Sequence, residues 1–196
     1  MVFSVALLLL SSCSRVPSTN KNSGNNIDEL IERAEAGDPE AQNDLASRYQ
    51  EGEGVSKDLV KSLALYQKAA ASGEPIPQSN LGFMYDMGLG TAQNRQLANE
   101  WYSKSAEQGY APAMLNLGLN IAGGQGAPQD LVEGMKWVDL ARLFSQSEKN
   151  MHVKWGIRGA YDDLKNRLSM QQLDEAQRRS QEWYKVFKAN AENKRQ

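Results

Sequence analysis

The sequence predicts an all-α protein, a superhelical solenoid built from helix–turn–helix repeats. Three observations carry this. Gly37, Gly73 and Gly109 lie 36 residues apart, and the same step relates Leu45, Leu81 and Leu117, then Gly52, Gly88 and Gly124, then Gly54, Gly90 and Gly126. Self-similarity at such a period marks a stack of supersecondary units. Within a unit, apolar residues fall at i, i+4 and i+8, as in Ala41, Leu45 and Tyr49, which is one face of a helix. A Gly-x-Gly element then interrupts each unit where a helix end favours positive φ.

Residues 1–12 come first. Val2–Leu10 is almost wholly apolar and ends in four leucines. A span this short suits the apolar region of a secretory signal, not a membrane helix, which needs about 20 residues. Leu10-Ser11-Ser12-Cys13 follows, and Cys13 is the only cysteine. This stretch resembles the lipobox of bacterial lipoproteins, although no Lys or Arg precedes Cys13. The resemblance implies cleavage before Cys13, which then carries lipid as the first mature residue. Ser14, in place of an aspartate, implies sorting to the outer membrane, on its periplasmic face. Residues 13–25 hold one large aliphatic side chain and no aromatic, too little to form a core, so they read as a tether. As a flexible coil the stretch after Cys13 reaches roughly 20 Å.

Residues 26–36 open with Asn26-Ile27-Asp28-Glu29, a capping box in form, and predict a helix that mimics the second half of a repeat. Residues 37–144 form the three repeats. Their first helices are expected to open near Pro39, Pro75 and Pro112, because proline suits a first turn. Their second helices are expected near Ser56, Gln93 and Gln129, with Asp58, Asn94 and Asp130 in the first turn. Small residues at Ser62, Ala98 and Gly134 mark a close approach of two helices. Residues 145–196 are a divergent unit. His152–Leu168 reads as a longer first helix without the glycine turn. Ser169-Met170-Gln171-Gln172 is a second capping box, opening a terminal helix through about Glu192 with Leu173, Ala176, Trp183 and Phe187 along it.

Composition argues for a binding protein over an enzyme. The chain has 22 Lys+Arg against 24 Asp+Glu, and one His. A net charge of −2 gives no general attraction to nucleic acid. Mean hydropathy is −0.61, that of a soluble body. One Cys and one His leave no internal disulfide and disfavour a zinc site or a Cys–His nucleophile. No metal and no cofactor is expected. The charge is uneven: residues 26–144 carry 17 acids and 9 bases, and residues 145–196 carry 7 acids and 11 bases. Arg178, Arg179, Lys185 and Lys188 read as a solvated helix face, with anionic lipid as the other reading. The Gly-x-Gly elements recur at the repeat step and lack a following Gly-Lys-Ser/Thr, so they are turns and not phosphate loops. Asp162-Asp163 and Asp174-Glu175 are adjacent acids that need not face one site. Trp101, Trp137, Trp155 and Trp183 sit at core spacings.

The combined pattern is A-x-x-x-L-G/A-x-x-Y, then G-x-G, then D/N-x-x-x-A, then W-Y-x-K-A-A-E-x-G. Its clearest copy runs from Leu81-Gly82 to Trp101-Tyr102-Ser103-Lys104-Ser105-Ala106-Glu107-Gln108-Gly109. It resembles the Sel1-like repeat family, relatives of tetratricopeptide repeats. The resemblance implies a scaffold whose first helices line the concave face. By analogy, the inner positions are Asp44, Asn80 and Asn116, and Ser47, Phe83 and Leu119, flanked by Ser79 and Leu115. Phe83, Leu115 and Leu119 are expected as exposed apolar anchors, and the Asp/Asn/Asn ladder either bonds a partner's backbone or satisfies the neighbouring helix. Sel1-like proteins described as hydrolases are cysteine-rich, which this chain is not. The expectation is therefore a membrane-anchored interaction module without catalysis of its own, an envelope adaptor. The alternative is an immunity protein that neutralises a toxin delivered to the periplasm, such as a type VI secretion phospholipase. The partner is another protein, and the membrane is reached through the lipid alone.

Overall fold

The computed structural model describes residues 27–146 and 150–193, and all the secondary structure among them is helical. The helices are α1 (Ile27–Glu35), α2 (Pro39–Glu51), α3 (Leu59–Ala70), α4 (Pro75–Met87), α5 (Arg95–Ala106), α6 (Ala111–Gly123), α7 (Leu131–Phe144), α8 (Met151–Arg167) and α9 (Met170–Asn193). Each repeat is an antiparallel pair, α2 with α3, α4 with α5 and α6 with α7, and each pair packs on the next through its second helix. The stretches read above as signal and tether, and Asn26, lie outside the described residues.

The turns follow from the glycines. Gly52, Gly88 and Gly124 cap the first helices at φ 80°, 67° and 69°. The chain then runs back beside the helix it has left. The amides of Asp58, Asn94 and Asp130 donate to the carbonyls of Tyr49, Tyr85 and Ile121 at 2.8, 2.8 and 3.1 Å, one bond per repeat. The second helices start later than the sequence suggested. Asp58, Asn94 and Asp130 are N-caps, not first-turn residues, and their side chains accept the amides that open α3, α5 and α7. An N-cap oxygen satisfies a donor that the helix cannot, and this decides the start.

Close approach sets each pair. A Cβ on Gly118 would lie 2.8 Å from the Gly134 carbonyl oxygen, and one on Gly134 would lie 2.6 Å from the Ala122 Cβ. In the first repeat the same position is Ser62, fully buried, whose hydroxyl donates to the Ala46 carbonyl at 2.8 Å. Leu81, Met84, Tyr66 and Ala46 form the middle of the core, and Tyr102, Met114, Leu117, Val138 and Ile157 belong to a larger cluster toward the C-terminus. Leu81 is 1% exposed. Leu81→Ala is expected to cost about 2–5 kcal/mol, as buried leucine truncations do. The check is the denaturation midpoint, which should fall with an unchanged slope.

The C-terminal unit departs from the repeat. α8 packs on α7 and α6, but α9 takes α7 as its main support. The expected capping box closes it: Ser169 N donates to Gln172 Oε1 at 3.0 Å, and Gln172 N to Ser169 Oγ at 3.3 Å. Trp183 stacks on Phe187 with centroids 5.1 Å apart and meets Trp137 edge-on at 5.7 Å, while Phe144 meets Phe187 at 5.0 Å. Ser180 Oγ donates to the buried Asp139 Oδ2 at 2.6 Å. Trp155 does not join the core; it is 63% exposed, edge-on to His152.

Candidate functional site

The inner face of a helix-pair solenoid is made by the first helices, here α2, α4 and α6. Their buried positions are Ala41 and Leu45, Leu81, and Leu117 with Gly118. That arrangement turns the next ridge outward: Asp44 and Ser47 on α2, Asn80 and Phe83 on α4, Asn116 and Leu119 on α6.

Asp44 is exposed, with Arg48 Nε 3.6 Å from its carboxylate. Ser47, Phe83 and Leu119 are half-buried, and both Phe83 and Leu119 lean on the large core cluster while keeping part of their surface open. Asn80 Nδ2 donates to Asn43 Oδ1 on the neighbouring helix at 2.9 Å. So at Asn80 the ladder does satisfy its neighbour, and its Oδ1 is left open to accept. Asn116 makes no hydrogen bond within the described residues and has both donor and acceptor available.

Two expected residues are not surface residues. Ser79 and Leu115 are each 4% exposed, and Leu115 joins the cluster that contains Val153 and Ile157 of α8. The reason is helix phase. They occupy the position of Asn43, which meets the next first helix at Asn80, and Leu115 is covered by α8. Leu115 is core and not an exposed anchor. Met87 was missed by sequence reasoning. It lies one turn beyond Phe83, is 38% exposed, and extends the apolar ridge. Its signal was the i+4 spacing from Phe83.

The C-terminal cations Arg178 and Arg179 lie on the α9 surface, paired with acids. Arg178 is not a free basic charge, because it bonds Glu175 and Glu182, and Arg179 bonds Glu175 and Glu133 on α7. The two guanidinium groups hold the Glu175 carboxyl at about 2, well below its ordinary range. Asp162 and Asp163 face Arg158 and Arg167 respectively, not a shared site. Among the described residues no group of three or more His, Cys, Asp or Glu could hold a metal ion, and no helix is long and apolar enough to cross a membrane.

The Sel1 repeat model matches residues 39–74, 78–110 and 111–142. A Sel1 repeat protein from Oxalobacter formigenes has a crystal structure similar to this chain, at TM-score 0.62 and 28% identity, over 75% of this chain and 56% of that one. A protective antigen of uropathogenic Escherichia coli strains, which displays the SLR fold, is similar at TM-score 0.58 and 26% identity, over 84% of this chain and 42% of that one. The chain thus spans about half the length of these solved structures. No functionally curated protein matches it. Proteins of this kind are generally non-catalytic interaction scaffolds, so the fold points to a protein–protein interaction module. With the model matched over a little more than half its length, the chain belongs to the Sel1 repeat family.

Proposed function

We propose that this protein is an envelope adaptor, tethered by lipid on Cys13, that binds another protein on the face made by α2, α4 and α6. One observation carries the binding reading. Phe83, Met87 and Leu119 leave apolar surface open on adjacent helices, beside the unspent Asn80 Oδ1 and the unbonded Asn116 side chain. An apolar anchor beside open backbone-bonding groups suits an extended or helical segment of a partner. The face also changes along the stack, from Asp44 and Ser47 to Asn116 and Leu119, which gives a partner a defined direction.

The anchoring half of the reading rests on the sequence around Cys13. Mass spectrometry of the membrane fraction is expected to find an N-terminal peptide beginning at Cys13 with acyl chains. Cys13→Ser is expected to move the protein from the membrane pellet to the soluble fraction. A mature chain that starts elsewhere, or a Cys13→Ser protein still pelleting with membranes, overturns this half and leaves the binding face to its own test. A secreted lipase or nuclease encoded next to this chain would turn the adaptor reading toward immunity.

A further inference from the structure

A recess of about 420 Å³ opens between the end of α7 and the outer face of α8. The repeat is broken there. One repeat step apart, Ala70 and Ala106 are 2% and 0% exposed, covered by the helix that follows. The third residue in that series is Arg142, whose side chain is 48% exposed. A guanidinium thus stands at the recess where the two earlier repeats carry a buried methyl.

The lining is cationic, and much of its bonding capacity is unspent. Arg142 gives Nε and Nη2 to Asp139 Oδ1, at 3.2 and 2.9 Å, and its Cζ sits 5.1 Å from the Tyr161 ring centroid. Its Nη1 has no hydrogen bond within the described residues. Among the described residues Lys154 Nζ donates once, to the Gln146 carbonyl at 3.1 Å, of the three donors it carries. Arg158 is 83% exposed in its side chain and faces Asp162 only at 3.9 Å. Among the described residues, three cations thus line the recess against one lining carboxylate, Asp162, with Ile157 and Tyr161 as apolar wall.

We propose that this recess binds a carboxylate-bearing segment of a partner protein. Guanidinium groups with free N–H donors match carboxylates in geometry as well as charge. The aromatic and aliphatic wall suits the stem of an acidic side chain, and the concave shape favours a segment that enters over a flat lipid surface. Different helices carry this site and the α2–α4–α6 face, so the two stand or fall separately.

The probe is a fluorescein-labelled hexaglutamate peptide, titrated by anisotropy into the full chain at near-physiological ionic strength. Saturable binding is expected, weakened at least tenfold by Lys154→Glu with Arg158→Glu and unchanged by Lys165→Glu, which sits on α8 outside the recess. Circular dichroism checks the fold, and Arg158→Glu alone serves if the double variant unfolds. Four results overturn the proposal. One is the absence of saturable binding. Another is an equal loss with Lys165→Glu, which means diffuse attraction. The third is binding to phosphatidylglycerol vesicles that the peptide does not displace. The last is self-association of the chain alone that Arg158→Glu abolishes, which makes the occupant a second copy.

Discussion

Gly90→Val is expected to destabilise the protein by about 3–5 kcal/mol, while Gly54→Val, at the same place in the first repeat, costs about 1–2. Both glycines have positive φ, 72° and 74°. A valine at either must adopt a left-handed backbone that β-branched residues avoid. The difference is the neighbour. A Cβ on Gly90 would lie 2.2 Å from the Leu59 carbonyl oxygen, at the start of the preceding repeat's second helix. On Gly54 the nearest atom among the described residues is Arg48 Nη1 at 3.8 Å. Gly126 repeats the contact against Arg95, at 2.4 Å from its carbonyl carbon. The second glycine of the second and third turns is therefore a packing position between repeats, and Gly90→Val forces two backbones apart. Chemical denaturation of the two variants checks this. Equal losses would mean that only the turn, and not the junction, depends on this glycine.

That contrast marks where the sequence stops being informative. The 36-residue step, the positive-φ glycines and the polar residue before each second helix are local, and local chemistry wrote them plainly. Gly54 and Gly90 are identical in the pattern, yet their surroundings depend on which repeat lies beside them. The same holds on the binding face. Ser79 and Leu115 sit one residue from the open ladder, and about 100° of helix phase turns them into the interior. A periodic pattern fixes the phase within a helix but not what covers it. Arg142 shows the converse. Seen alone it is one more cation near a helix end, and it acquires meaning only beside buried Ala70 and Ala106, as the exposed member of that series. The direction taken by α9 was also illegible. Its apolar spacing fits either α8 or α7, and the aromatic cluster with Trp137 and Phe144 decides for α7.

The claim that the α2–α4–α6 face binds the partner rests on two side chains one repeat step apart, Phe83 and Leu119, and on their open surface. Phe83→Glu with Leu119→Glu places two carboxylates on that strip. A lost aromatic anchor typically costs at least about 2 kcal/mol, a factor near thirty in affinity. A charge desolvated without a counter-ion costs more. Because both residues lean on the core, folding must be read in the same samples by helicity and thermal midpoint. Met87→Glu, at a more open position on the same ridge, stands in if the double variant is not folded. The control is Glu100→Lys, on the exposed side of α5. Arg178 and Arg179 are unsuitable as controls, because reversing them breaks the ion pairs along α9 and to Glu133. The decisive measurement is the affinity of these purified variants for the partner recovered with the wild-type chain from envelope extract. The account predicts a folded Phe83→Glu/Leu119→Glu protein, or Met87→Glu in its place, that binds at least thirtyfold more weakly, with Glu100→Lys unchanged. A folded variant that binds as tightly as wild type, or an equal loss with Glu100→Lys, would contradict it.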